Sequence, residues 1–373
     1  MLFRSLPFPW GRLLASLAAL TMLVALVTGI IAHRRIFRDF FTFRPAKGQR
    51  SWLDGHNALG VMSLPFHLMI TFTGLVTLAS LNMPWAMTAN YGDDLATMYQ
   101  AFTPGTVNRP LAEKKAPLAP IAPMLREAGR RFGGAAIGRV YVVNPGDAAA
   151  VVTVFRSDAG QIASTPGEIS FDGATGEVLS DWTEKRPALK TYNVVYGLHM
   201  ARFAPGLLRW LYFLGGAMLT LTIASGLVLW VVKRRERAPL SLGNRILERL
   251  NAGVIGGVLL GGVAYLWANR LLPLGVEARA DTEISIALWS AGIAVIAGAA
   301  LRPALAWPAL LGSLAAGCVG AAVLGLGISG FAQWGMDLVL LATAAALSLI
   351  VIRQIRTLRA PVAPRRSRAS AAA

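Results

Sequence analysis

The chain has 373 residues, of which 55% are hydrophobic and only 15% are charged, and its formal net charge is +17. Soluble domains contain about 25% charged residues, so this composition excludes an ordinary soluble enzyme and predicts an integral membrane protein. The positive charge does not indicate a nucleic-acid-binding domain, because the basic residues are concentrated beside apolar segments. The single cysteine, Cys318, excludes cysteine-ligated zinc and iron–sulfur sites within one chain.

Apolar segments long enough to cross a bilayer as helices recur along the chain. They lie at about residues 12–32, 58–81, 207–232, 251–270, 284–301, 304–328 and 334–353. Basic clusters at 34–50, 233–249 and 353–368 flank them, and the positive-inside rule places such clusters in the cytoplasm. The pattern predicts seven spans, with the N-terminus outside and the C-terminus inside.

The polar segment at residues 82–206 is predicted to fold outside the membrane as a small α+β domain. A short amphipathic helix is expected in the second half of 116–133. Alternating Val, Tyr and Phe in 138–156 and 167–182, interrupted by turn sequences, indicate antiparallel strands. We expect one helix packed on a curved antiparallel sheet.

The fold class is therefore mainly α, a polytopic helical membrane protein with a small external α+β domain. Five segments are predicted: two spans with a basic cytoplasmic loop, the external region, a third span with a second basic loop, the C-terminal spans, and a basic cytoplasmic tail. Their boundaries are 1–81, 82–206, 207–250, 251–353 and 354–373. The C-terminal spans lack histidine and are rich in small residues, which favours a scaffold or oligomerisation role. Arg270 is expected to snorkel to the outer boundary.

Three of the four histidines lie within residues 30–75. His33 ends the first span and His56 opens the second at a similar depth, so antiparallel helices would bring the two imidazoles together. His67 lies eleven residues after His56, on nearly the same helix face and about 16 Å further into the membrane. His199 lies just outside the third span, about 30 Å from the depth of His67 on a straight-helix estimate.

Small residues accompany the histidines of the second span. Gly60, Ser63 and Gly74 fall on the same stripe as His67 and would leave room for a flat, bulky group. Paired imidazoles from antiparallel helices form the axial ligand set of low-spin haem b. The spacing therefore suggests a haem, although a hydrogen-bonded contact between helices is the simplest interpretation of any single histidine.

Two other chemistries are open. Zinc or copper also binds histidine, but such sites usually recruit Cys, Asp or Glu, and Asp54 is the only carboxylate close to His56. A proton relay is the second of these chemistries. It is disfavoured if the predicted spans carry no acidic residue. No catalytic triad or phosphate-binding loop is visible in the external region.

Three stretches resemble the PepSY-associated transmembrane family. "TGIIAHRRIFRDFFTFRPAKGQRSWLDGHNALGVMSLPFHLMITFTGL" resembles the family's signature, and "YGLHMARFAPGLLRWLYFLGGAM" is similar to its later span. "ISFDGATGEVL" resembles the end of a PepSY-type external domain. The resemblance covers residues 30–270 well. Longer members begin with a further span and external region, so this chain is expected to lack that N-terminal part.

Members of this family include haem-containing inner-membrane reductases that pass electrons across the bacterial membrane to ferric siderophores. The resemblance implies one or two haem b groups, with His33, His56, His67 and His199 as axial ligands of the iron. It also implies a ferric siderophore as substrate, a cytoplasmic or quinol electron donor, contact with membrane lipid, and a periplasmic external domain.

The alternatives are a non-enzymatic, membrane-anchored PepSY binding or regulatory protein and a siderophore or metal permease. A homo-oligomer is compatible with the small-residue spans, and nothing in the sequence points to a nucleic-acid partner.

Overall fold

The computed structural model describes residues 10–32, 37, 40, 44, 49–164, 167–237, 241–328 and 334–359. In chain order the elements are α1 (Trp10–Ala32), α2 (Gln49–Thr77), α3 (Ala79–Asn82), α4 (Trp85–Tyr91), α5 (Leu95–Phe102), α6 (Ile121–Arg131), β1 (Ile137–Val143), β2 (Val151–Arg156), β3 (Gly167–Asp172), β4 (Val178–Thr183), α7 (Pro187–Met200), α8 (Gly206–Arg237), α9 (Leu242–Leu271), α10 (Arg279–Ala300), α11 (Pro303–Ile328) and α12 (Trp334–Arg359).

Within these described ranges, seven helices are long and apolar enough to cross a membrane, namely α1, α2, α8, α9, α10, α11 and α12. The prediction of a polytopic helical protein with seven spans is confirmed. The chain divides into two compact units, with the boundary between residues 222 and 223, inside α8.

The α+β domain of the first unit has the predicted construction. Its four strands form an antiparallel sheet in the order β1-β2-β3-β4, as successive hairpins do. The β-branched residues of β2 suit this sheet, because their side chains pack well on a pleated surface. Helix α6 covers one face of the sheet, and the shared core is formed by Met124, Ala128, Val152, Val154, Ile169 and Phe171.

Helix α7 is an element that the sequence reasoning did not predict. It ends at Met200, and Ala201 then adopts a left-handed conformation with φ of 51°. The chain turns there, and α8 begins at Gly206. This turn allows the last residues of α7 to pack beside a membrane-spanning helix, which decides where His199 lies.

The second unit contains helices α9 to α12. Small and aliphatic side chains form its buried core, namely Val263, Leu314, Ala315, Cys318, Ala321, Ala322, Leu340 and Ala344. Such residues allow helix backbones to approach closely in a bilayer. Cys318 is buried in this core.

Arg270 does not snorkel to the boundary, so that expectation was wrong. Its side chain is only 12% exposed, and its Nη2 lies 2.7 Å from Oδ1 of Asp337, which is 1% exposed. In the folded protein, α12 brings the carboxylate of Asp337 close to Arg270. A cation that is paired in this way can stay buried without contacting water. The premise that the spans lack acidic residues was also wrong, because Asp337 lies within α12 and buried Glu283 within α10.

A candidate ligand site at the membrane histidines

Helices α2 and α8 pack at two points that frame the site. Phe66 of α2 meets Gly215 of α8, where an added Cβ would lie 2.6 Å from the Phe66 ring. Nearer the start of α2, an added Cβ at Gly60 would lie 3.8 Å from Thr222 Cγ2. Since the later residue of α2 meets the earlier residue of α8, the two helices run in opposite directions.

Tyr212 joins three helices at this level. Its ring makes an edge-to-face contact with Phe66, with the centroids 5.6 Å apart. Its hydroxyl donates to the carbonyl oxygen of Leu198 at 2.9 Å, so a side chain of α8 holds the last turn of α7. The histidine that follows Leu198 is thereby fixed beside α2.

His67 is buried in the middle of α2, with only 1% of its surface exposed. Its Nδ1 lies 3.5 Å from Oγ of Ser63, one helical turn earlier. The Ser63 hydroxyl donates to the Leu59 carbonyl at 2.6 Å, so its oxygen can only accept from the imidazole. This arrangement favours the proton on Nδ1 and leaves the lone pair on Nε2.

Nε2 of His67 is a buried polar atom without a hydrogen-bond partner among the described residues. The backbone of Gly215 lies near the ring, but it does not meet hydrogen-bond geometry with Nε2. Buried polar atoms are rarely left unsatisfied, and an exception calls for an explanation such as an absent ion or ligand.

His199 repeats this arrangement near the C-terminal end of α2. Its Nδ1 lies 3.2 Å from Oγ1 of Thr73. The Thr73 hydroxyl donates to the Met69 carbonyl at 2.7 Å, so it too accepts from the imidazole. Burial lowers the pKa of His199 from its ordinary value, against a smaller opposing effect of the Ile70 backbone. The ring is therefore neutral near pH 7, with its lone pair on Nε2.

Gly74 provides the space that the His199 ring occupies. A Cβ added at Gly74 would lie 3.0 Å from Cε1 of His199, closer than ordinary van der Waals contact. The position that the sequence reasoning reserved for a flat group is thus filled by an imidazole of the protein itself.

The separation of His67 and His199 is smaller than the straight-helix estimate. His199 packs against Thr73, six residues beyond His67, which corresponds to about 9 Å along α2 rather than about 30 Å. The estimate failed because it did not include the turn at Ala201. His67 and the contact that His199 makes thus lie at different levels of α2, about 9 Å apart along its axis.

His56 lies nearer the start of α2, half-buried, with its imidazole against the backbone of Thr222. Its predicted partner, His33, lies outside the described residues, so the His33–His56 pair stays a prediction. Asp54, the carboxylate considered for a zinc or copper site, receives two hydrogen bonds from the Arg44 side chain, at 2.9 and 2.8 Å. That carboxylate is already paired, which weakens the interpretation as a zinc or copper site.

Haem b, the cofactor expected from the sequence, can be tested against these side chains. Its iron takes neutral imidazole nitrogens, and metal-binding histidines usually donate the other ring N–H to a fixed acceptor. His67 and His199 both meet this requirement through a hydroxyl group of α2. In the described part of the chain no cluster of three or more His, Cys, Asp or Glu could hold a metal ion. The two imidazoles therefore have the donor chemistry that a haem iron takes.

The hydroxyl groups are the components that sequence reasoning missed. Ser63 was considered only as a small residue, although a hydroxyl four residues before a helical histidine is a recognisable signal. Thr73 carries no such local signal for His199, because 126 residues separate the two in the chain.

Comparison with known proteins gives two findings. The family described as PepSY-associated TM region matches residues 2–233. An uncharacterized protein of Pseudomonas aeruginosa, PA4219, is 28% identical over 388 aligned residues, which cover 96% of this chain and 94% of the relative.

Proposed function

The chain belongs to the PepSY-associated TM region family, and on that premise we propose that it is a haem-containing electron-transfer protein of the bacterial inner membrane. In this proposal it reduces ferric siderophores or ferric iron on the periplasmic side. A cytoplasmic protein or a membrane quinol is the electron donor.

The observation that carries the proposal is the unpartnered Nε2 of His67. Leaving a buried acceptor unsatisfied costs about 1–3 kcal/mol, and an iron ligated there would remove that cost. Ser63 holds the ring in the tautomer that a metal requires, through an acceptor oxygen 3.5 Å from Nδ1. A hydrogen-bonded contact between helices would instead have satisfied Nε2 with a neighbouring side chain.

The order of the histidines supports transfer across the membrane. His56, His67 and His199 contact α2 at successive levels, about 16 Å and then about 9 Å apart along its axis. Haem bound at these levels supplies one-electron redox chemistry. The neutral imidazoles of the chain position it, and the apolar spans exclude water from it. Ferrous iron is held less strongly than ferric iron by hard oxygen donors, so reduction releases iron from a siderophore.

The test is optical and stoichiometric. Protein purified from haem-replete cells should contain haem b, with a reduced-minus-oxidised spectrum typical of histidine ligation. His67→Ala and His199→Ala should each lower the haem-to-protein ratio, whereas Cys318→Ala, at a buried residue outside the site, should not. Reduction of a ferric siderophore by the loaded protein in proteoliposomes would complete the test.

Haem-free protein from such cells would overturn the proposal. It would favour the non-enzymatic alternative, in which the spans anchor a PepSY binding domain. In that case all four histidines could be replaced without loss of folding or function. Uptake of an intact ferric siderophore without any reductant would favour the permease instead.

A further inference from the structure

A cleft of about 170 Å³ lies in the first unit, between the sheet and helix α7. Arginine, tyrosine, serine and asparagine side chains line it, namely Arg139, Ser164, Tyr192, Asn193, Tyr196 and Arg202. Two guanidinium groups thus face one small volume. Nothing in the proposed electron transfer through the membrane requires this feature.

Two carboxylates partly neutralise the positive charge of the cleft, namely Asp158 beside Arg202 and Glu168, whose pKa the charge of Arg139 acts to lower. The Arg139 guanidinium lies over the Phe155 ring, 4.9 Å from its centroid, and makes no ion pair with any residue that the structure describes. Arg202 approaches Asp158 only to 3.7 Å. That carboxylate also accepts a hydrogen bond from the Ser164 hydroxyl at 2.9 Å, so it is shared. The cleft can therefore accept an anion without displacing a strong ion pair.

Two aromatic rings give the cleft a flat apolar wall. Tyr192 and Tyr196 lie one turn apart on α7, with ring centroids 6.1 Å apart and an angle of 30° between the ring planes. A planar group can stack on such rings while guanidinium groups bind its charged edge. The volume corresponds to about five or six water molecules, which suits a single ring with one acidic substituent.

A buried carboxyl group lies next to the cleft. Glu168 is 3% exposed and lines a smaller cavity of about 50 Å³ that shares Asn193 with the cleft. Its Oε2 accepts from the Thr106 hydroxyl at 2.8 Å, whereas its Oε1 has no partner among the described residues. Burial raises the pKa of Glu168, against opposing effects of hydrogen bonds from Thr106 and Gly105 and of the charge of Arg139.

Helix α7 connects the cleft to the candidate ligand site. Tyr192, Tyr196 and His199 follow the spacing i, i+4 and i+7, so they lie on one helix face. The loop before β3 fixes this helix, because the Ser164 N–H donates to the Asn193 carbonyl at 3.0 Å. A ligand in the cleft would thus bind within about two turns of the outermost histidine.

We propose that this cleft is a binding site for a small organic anion in which a carboxylate or phenolate is attached to an aromatic ring. This inference goes beyond the proposed function, because binding there requires neither haem nor electron transfer.

The test uses the full-length protein in a neutral detergent, with benzoate as the probe and benzamide as its neutral analogue. Saturation-transfer NMR should detect saturable binding of benzoate and much weaker binding of benzamide. Arg139→Gln and Arg202→Gln should each weaken benzoate binding about tenfold. The control is Arg131→Gln in the same domain, whose guanidinium pairs with Glu127 and Asp181. It should leave benzoate binding unchanged.

A second measurement needs no variant. Benzoate should protect Arg139 and Arg202 of the wild-type protein from phenylglyoxal, as read by mass spectrometry, and should not protect Arg131. Equal binding of benzamide, or unprotected arginines at saturating benzoate, would overturn the inference. Protection of the two arginines by anionic lipid but not by benzoate would also overturn it, since a headgroup would then be the ligand. Haem content, measured on the same samples, tests the proposed function separately.

Discussion

The Nδ1 nitrogen of His67 lies 3.5 Å from the Oγ oxygen of Ser63, and that hydroxyl donates its own proton to the Leu59 carbonyl. Thr73 does the same for His199, through the Met69 carbonyl. In both cases a hydroxyl of α2, oriented by its own helix, favours the imidazole tautomer that carries the proton on Nδ1. Both imidazoles thus have a hydroxyl partner on Nδ1, which is the arrangement that the proposed ligation of a haem iron through Nε2 favours.

If His67 ligates a haem iron as proposed, Ser63→Ala should weaken that bond. Without the acceptor the imidazole can rotate or change tautomer, and comparable outer hydrogen bonds are worth about 10–100-fold in metal affinity. We expect a lower haem-to-protein ratio after purification and a shifted midpoint potential of the remaining haem. Spectroelectrochemical titration measures both quantities on one sample.

Thr77→Ala is the matched control for Ser63→Ala. Thr77 also lies on α2 and donates to a carbonyl four residues earlier, that of Thr73, at 2.7 Å. Its hydroxyl contacts neither His67 nor His199 in the structure. Its removal should leave haem content and potential as in the wild type. Equal effects of the two variants would show that the Ser63 hydroxyl has no special role.

Gly74→Ala should displace the His199 ring. The new Cβ would lie 3.0 Å from Cε1 of His199, so the ring or the helix must shift by a few tenths of an ångström. Overpacking of this kind typically costs about 1–3 kcal/mol, and here it should also break the contact with Thr73. A lower melting temperature together with an altered haem spectrum is the expected result.

Gly60→Ala is the control for Gly74→Ala. It is the same substitution on the same helix, at a position where the added Cβ has room. Its Cβ would lie at an ordinary 3.8 Å from Thr222 Cγ2. Since alanine favours helix over glycine by about 1 kcal/mol, this variant should be as stable as the wild type or more stable. If Gly74→Ala were equally well tolerated, the close packing of His199 on α2 would be wrong.

The spans and the sheet were predictable because their patterns are local. Apolar runs of bilayer length and alternating strands do not depend on what the rest of the chain does. The stripe of His56 and His67 on one face of α2 follows from helical geometry in the same way. These features needed only the residues of the element itself.

The environment of His199 and the pairing of Arg270 were not predictable, because each depends on a distant segment. A left-handed residue at Ala201 turns the chain and brings His199 to Thr73, and no local pattern announces that turn. Arg270 finds Asp337 on another helix, 67 residues later. An arginine at the end of a span looks the same in the sequence whether it reaches water or a carboxylate.

Asp337→Ala should strongly destabilise the second unit. It would leave Arg270, 12% exposed, without the carboxylate that now lies 2.7 Å away. Removing one partner of a buried ion pair costs about 3–5 kcal/mol, whereas replacing both partners by apolar residues can be nearly neutral. The double variant Arg270→Met, Asp337→Leu should therefore recover most of the melting temperature lost in Asp337→Ala.

Glu248→Ala is the control for this ion pair. Glu248 pairs at 3.0 Å with Arg235, whose side chain is 61% exposed. Exposed pairs are worth about 0–1 kcal/mol, so the melting temperature should hardly change. If the double variant Arg270→Met, Asp337→Leu is as unstable as Asp337→Ala, the Asp337 carboxylate has a role beyond neutralising Arg270.

Glu168→Gln should alter the pH dependence of stability in the α+β domain. Burial raises the pKa of Glu168 above its ordinary 4.5, so its stabilising contribution is full below 4.5 and is lost as the pH rises through the raised value. Glutamine cannot ionise, and the melting temperature of the variant relative to the wild type should therefore increase with pH. Glu127→Gln should show the opposite trend, because Arg131 and Arg130 lower the pKa of Glu127. Parallel thermal unfolding of both variants from about pH 4 to about pH 8 distinguishes these signs. Trends of the same sign would contradict a raised pKa of the buried Glu168.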